Sequence, residues 1–111
     1  MIMRQRKRQP IPKRVRDVVL QRDDRTCVYC GRREGQLLFP GPFRLKIHVD
    51  HLVPASQGGS SFNVFNLCCA CASCNMTKSG KTPEEAGMNV AFVRNGFIYV
   101  DGEIRPEDWG E

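Results

Sequence analysis

Two Cys-x-x-Cys pairs, Cys27-Val-Tyr-Cys30 and Cys71-Ala-Ser-Cys74, constrain this chain more than any other feature. Two such pairs supply four thiolates to a tetrahedral zinc and turn the chain between them into a closed loop. The six cysteines fall in two clusters, because Cys68 and Cys69 precede the second pair. Cys68 and Cys71 also form a Cys-x-x-Cys, so the second half of the knuckle has two registers. Cys71 with Cys74 is preferred, since Cys68 and Cys69 lie in an apolar run that reads as a strand, where a free cysteine is commonly buried. A secreted disulfide framework spreads its cysteines and follows a leader, whereas paired cysteines in a reducing compartment point to metal. The opening MIMRQRKRQPIPKR is basic with no apolar run behind it, which is not the pattern of a secretory leader, so the expected location is cytoplasmic. No run approaches the ~20 apolar residues of a membrane span.

With 111 residues the chain is expected to form one small domain over 1–111. A core of that size is modest. Structural zinc contributes ~10 kcal/mol or more of binding energy to folding, which explains how such a core holds. Within the domain we expect a basic arm over 1–11, a knuckle-bearing core over 27–81, and a hairpin and tail over 88–111. The charge is uneven. The net charge is +5, yet residues 1–16 hold seven basic groups and no acid, while the remainder carries 10 basic and 12 acidic groups. A basic arm attracts polyanions, nucleic acid first among them.

Pro12 and the stripe Val15, Val18, Val19, Leu20 predict a helix from Pro12 or Lys13 to about Arg22. Leu37 to Phe43, broken by Pro40, Gly41 and Pro42, reads as a bent loop. Arg44 to His51 alternates: Leu45, Ile47 and Val49 fall on one face and Arg44, Lys46, His48 and Asp50 on the other, a strand pattern. Pro54 to Asn63 is loop by composition. Val64 to Cys69 reads as a second, antiparallel strand, and Cys71 to Lys78 as a short helix. Thr82-Pro83-Glu84-Glu85 is a capping-box signature that opens another short helix ending near Gly87. Asn95-Gly96, flanked by apolar residues, predicts a hairpin with a tight primed turn. Phe92, Phe97, Tyr99 and Trp109 read as packing residues.

Between and just after the knuckle halves lie Asp50-His51, Asn66, Asn75 and Lys78. Each is ordinary alone. In a strand-loop-strand-helix unit, however, the end of the first strand and the start of the helix converge, and Asn75 and Lys78 share a helix face as i and i+3. Successive strand residues point to opposite faces, so for Asp50 and His51 to serve one site the chain must bend there. His48 shares the strand face of Asp50 and is a further candidate.

The run VDHLVPASQGG, then FNLCCACASCNMTKSG, resembles the HNH endonucleases, the ββα-metal nucleases, in their zinc-knuckle form. The resemblance covers about Cys27 to Gly80. It implies an α+β fold: a small single domain with a ββα-metal (HNH) core pinned by a four-cysteine zinc site, an N-terminal helix and a C-terminal β-hairpin. It implies that His51 is the general base and Asp50 the metal-binding acid. Asn66 matches the family's middle letter, whose amide bridges backbone across the two-stranded loop. Asn75, here in place of a histidine, would be the second protein ligand of a catalytic Mg2+ or Mn2+, and Lys78 would touch phosphate. The implied activity is hydrolysis of DNA phosphodiesters, leaving a 5′-phosphate and a 3′-hydroxyl. One site per chain implies nicking by a monomer, with a weak dimer able to cut both strands. DNA contacts are expected from the arm, the first helix, Arg32 and Arg33. The rival reading is a zinc-knuckle nucleic-acid-binding module without catalysis, which has no need of Asp50, His51 and Asn75 in this arrangement.

Overall fold

Pro12, with its fixed φ of −59°, opens helix α1 (Lys13–Arg22) in the computed structural model, which describes residues 10–108. The basic arm therefore lies outside the described residues, apart from Pro10 and Ile11, and so does Trp109. Val19 and Leu20 enter the core, but Val18 is 48% exposed, so the apolar stripe is narrower than the sequence suggested. Its place is taken by Arg22, which follows Val15 and Val19 at helical spacing and is buried. Burial of that charge is made possible by a fork onto buried Asp23, with Nε to Oδ1 at 2.7 Å and Nη2 to Oδ2 at 2.9 Å. The same guanidinium donates to the carbonyls of Val64 (2.9 Å) and Leu67 (2.6 Å), and Asp23 Oδ2 accepts from the Cys69 amide (2.9 Å). α1 is thereby bolted to the chain that forms the second strand.

The first knuckle half follows, closed by a bridge between Thr26 and Arg33. Gly31 has φ +82° there, and a Cβ at this position would meet the Phe92 ring at 2.9 Å, so the turn demands glycine. Residues 37–43 form the expected bent loop, in which the Leu38 amide donates to Phe43 O at 2.8 Å. Strand β1 (Ile47–His51) is shorter than the expected 44–51. Residues 44–46 are diverted, because Leu45 exchanges hydrogen bonds with Gly35 and Gln36. The second strand is also displaced from 64–69: β2 is Leu67–Cys71, and Val64–Asn66 form a 3-10 turn capped by Asn63, whose side chain accepts from the Phe65 amide at 3.0 Å. β1 and β2 are antiparallel, pairing Ile47 with Cys71, Val49 with Cys69 and His51 with Leu67. Helix α2 (Ala72–Lys78) leaves β2 directly, capped by the Cys71 thiol.

Two later expectations need correction. Thr82 and Glu85 do form the reciprocal capping bonds, Thr82 N to Glu85 Oε1 at 2.9 Å and Glu85 N to Thr82 Oγ1 at 3.1 Å. They hold only a single turn over 83–87, because Gly87 takes φ +69° and ends it. The hairpin consists of β3 (Phe97–Val100) and β4 (Glu103–Pro106), turning at Asp101-Gly102 with φ +53° and +80°. Asn95-Gly96 also turns with positive φ, but the chain before it is held elsewhere: the Ala91 and Phe92 amides both donate to Val28 O at 2.9 Å. Ile104 of β4 is fully buried and joins Val19, Val28, Ile47, Leu52 and all five β2 residues in one core, against which Phe97 and Tyr99 pack. The result is mixed α+β, with the β1-β2-α2 unit at its centre.

Candidate active site

The knuckle forms because β2 ends where α2 begins. Cys71 is the last strand residue and the helix N-cap, and Cys74 lies on the first helical turn beside it. The Sγ atoms of Cys27, Cys30, Cys71 and Cys74 all lie within 4.8 Å of one another. A tetrahedral zinc with Zn–S bonds of about 2.3 Å needs sulfur–sulfur edges of about 3.8 Å, and Cys30 and Cys71 stand 3.7 Å apart. The donor set, four soft thiolates, is that of structural zinc. This settles the register in favour of Cys71 with Cys74. Cys68 and Cys69 are fully buried in β2, and burial pushes both thiols up, which leaves them inert. Burial also raises Cys74, whereas at Cys30 it is outweighed by hydrogen bonds, chiefly from Arg32, and the thiol falls to about 6. Arg32 donates to Cys30 (3.4 Å) and Cys71 (3.6 Å), and Arg33 to Asp24 (2.9 Å). Both arginines expected to contact DNA are thus directed to partners within the domain, with Arg32 serving the thiolates.

Asp50 and His51 end β1, and Asn75 sits on α2. All three line the same cleft of about 380 Å³, and all three line a neighbouring cleft of about 350 Å³ that continues to Lys78 and Gly80. β1 pairs regularly through His51, and the chain bends just after it, at 52–53. Alternation of burial holds at Ile47 and His48, then lapses at Val49 and Asp50, which are both intermediate, before His51 is buried. The His51 Nε2 stands 2.8 Å from the Ser61 hydroxyl, and Ser61 is itself buried. His48 is exposed and lines the first cleft with Asp50 and Asn75.

Lys78 lies differently from the expectation of a phosphate contact. Its side chain is only 3% exposed. The ammonium donates to the His51 carbonyl at 2.7 Å and lies 3.7 Å from Asp50 Oδ2. It is tied to the backbone and the carboxylate on either side of the strand end, and so fixes where both stand.

Asn66 takes its place from the 3-10 turn. Its Oδ1 accepts from the Val53 amide (2.9 Å), and its Nδ2 donates to the carbonyls of Val53 (3.2 Å) and Ser60 (3.1 Å). Its own carbonyl accepts from the Leu52 amide at 2.8 Å. One residue therefore laces both ends of the 52–66 loop together immediately after His51. The loop passes so close that a Cβ on Gly59 would fall 1.7 Å from Val53 O, which only glycine permits.

Sequence reasoning missed Ser61 and the Arg22–Asp23 pair. Nothing in SSFN marks one serine over its neighbour. Arg22 carried one weak signal, a charge at helical spacing from Val15 and Val19.

In a comparison with known protein families, the model of the HNH endonucleases aligns with residues 27–81. That span runs from the first knuckle cysteine past the end of α2, and contains the four clustered cysteines together with Asp50, His51, Asn66, Asn75 and Lys78. No curated protein matches the chain.

Proposed function

This chain belongs to the HNH endonuclease family, and from that premise we propose that it hydrolyses phosphodiester bonds of DNA, nicking as a monomer. The observation that carries the proposal is that Asp50, His51 and Asn75, brought from a strand end and a helix, line one cleft. His51 takes the proton of the attacking water, the general-base role that a neutral imidazole fills through its unprotonated ring nitrogen. Asp50 and Asn75 offer one carboxylate and one amide oxygen, a sparse, hard donor pair suited to Mg2+ or Mn2+. Bound there, a divalent ion supplies Lewis-acid neutralisation of the charge that builds on the phosphoryl and leaving oxygens. Water forms the new bond to phosphorus, the electron pair of the broken bond leaves on the 3′ oxygen, which takes a proton from solvent, and the products are a 5′-phosphate and a 3′-hydroxyl. Lys78 holds Asp50 and the His51 carbonyl in position, and Asn66 braces the loop behind them. The knuckle pins the β2–α2 junction and takes no part in the chemistry. Free thiols serving zinc and a DNA substrate fit a cytoplasmic setting.

The test is conversion of supercoiled plasmid to nicked circle by zinc-loaded protein across a metal series. We expect nicking with Mg2+ or Mn2+, none with chelator, and none by His51→Ala that retains zinc and DNA binding. Equal cleavage by His51→Ala would remove the proposed base. DNA binding by the wild type without cleavage under any metal would favour the non-catalytic module.

A further inference from the structure

β1 pairs only with β2 among the described strands, so its other edge is open, and α1 runs beside it. Between them lies a groove of about 360 Å³ walled by Arg16, Leu20, Arg25, Glu34, Lys46 and His48. Arg16, His48 and Val49 also line the cleft that holds Asp50, His51 and Asn75, so groove and cleft adjoin across these residues. The charges along the groove are not equivalent. Glu34 is consumed by Arg25 (Nη1 to Oε1, 3.0 Å) and by the Ile47 amide, which donates to Oε2 at 3.2 Å. Arg16 donates only to a neutral carbonyl, that of Ile11 at 3.2 Å, and among the described residues neither Arg16 nor Lys46 forms an ion pair. Both are exposed. The groove thus presents two unneutralised cations on a track that ends at the cleft.

We infer that this groove seats the phosphodiester backbone of duplex DNA on one side of the bond to be cut, with Arg16 and Lys46 each neutralising a phosphate. The inference rests on the nuclease reading for the identity of the cleft. Lys46 immediately precedes β1, and the four residues of chain between it and Asp50 span at most about 14 Å. With about 3.4 Å of axial rise per nucleotide on one strand, Lys46 stands no more than about four nucleotides from the site of attack. Arg16 lines both groove and cleft and holds the intervening stretch. Such contacts set register and affinity without reading bases.

The test uses full-length, zinc-loaded protein and a fluorescein-labelled 24-base-pair duplex, with binding followed by anisotropy over a salt series without divalent ions. Arg16→Ala and Lys46→Ala should each weaken binding and reduce the slope of log K against log salt by about 1, and the double variant by about 2. Arg105→Ala, whose guanidinium pairs with Glu103 beside a different cleft, should leave the slope and plasmid nicking unchanged. An unchanged slope in the double variant, or an equal loss in Arg105→Ala, overturns the inference. Reduced slopes in a protein that never nicks uphold the groove and defeat the nuclease reading. Nicking with unaltered slopes does the reverse.

Discussion

Replacing Asn66 tests whether the loop behind the site is held as described. The side chain is buried and makes three hydrogen bonds, to Val53 N, Val53 O and Ser60 O. At about 1 kcal/mol for each, Asn66→Ala should destabilise the domain by about 3 kcal/mol. Asn66→Asp is the sharper probe. The carboxylate can still accept from the Val53 amide, but where Nδ2 donated to two carbonyls it presents an acceptor oxygen to them, so the loss should be at least as large as for alanine. The assay is urea unfolding at fixed free zinc. With a slope of about 1.5 kcal/mol/M, a loss of about 3 kcal/mol lowers the midpoint by about 2 M. Activity should fall as well, because Val53, two residues after His51, loses its bonds to the Asn66 side chain. A midpoint shift below about 0.3 M in Asn66→Ala, or a milder effect for aspartate than for alanine, would refute the bridging argument.

Ser61→Ala should lower kcat about tenfold with little change in KM, and Ser61→Thr should recover most of it, because the hydroxyl orients the His51 ring; an alanine variant with wild-type kcat would dismiss that role. Lys78→Met should destabilise by about 2 kcal/mol, leaving the His51 carbonyl without its donor and Asp50 without its counter-charge; a variant as stable as wild type but weak only in DNA affinity would return Lys78 to the phosphate. Removing zinc with a chelator should unfold the domain, because the metal supplies ~10 kcal/mol or more of its folding energy, and should open the fully buried Cys68 and Cys69 to alkylation along with the four knuckle thiols; mass mapping of the alkylated chain checks this, and continued protection of Cys68 and Cys69 after chelation would contradict it.

What the sequence disclosed and what it withheld divide along physical lines. The knuckle was legible because ligand spacing is local, and α1 was legible because Pro12 opens it and its apolar residues repeat at helical spacing. The start of β2 was not legible: Val64 and Phe65 are as apolar as a strand, and the turn there is imposed by the Asn63 cap and by Arg22 reaching across 42 and 45 residues to the Val64 and Leu67 carbonyls. The hairpin was misplaced for a related reason. Asn95-Gly96 and Asp101-Gly102 are equally good primed turns, and the decision between them lies in the Val28 carbonyl, which takes the amides before Asn95. At the site, the residue types of Asp50, His51 and Asn75 were evident. The inward turn of Lys78 and the contact from Ser61 were not, since both depend on what the folded loop places opposite them.

The central claim is that Asp50 and Asn75 form one cation site beside His51, separate from the knuckle. Titration of Mn2+ into zinc-loaded protein, followed by the electron paramagnetic resonance signal of free Mn2+, tests it directly. One saturable Mn2+ per chain is expected, weakened at least tenfold in both Asp50→Asn and Asn75→Ala, with one zinc per chain retained throughout. Undiminished Mn2+ binding in either variant, or loss of zinc along with it, would contradict the account.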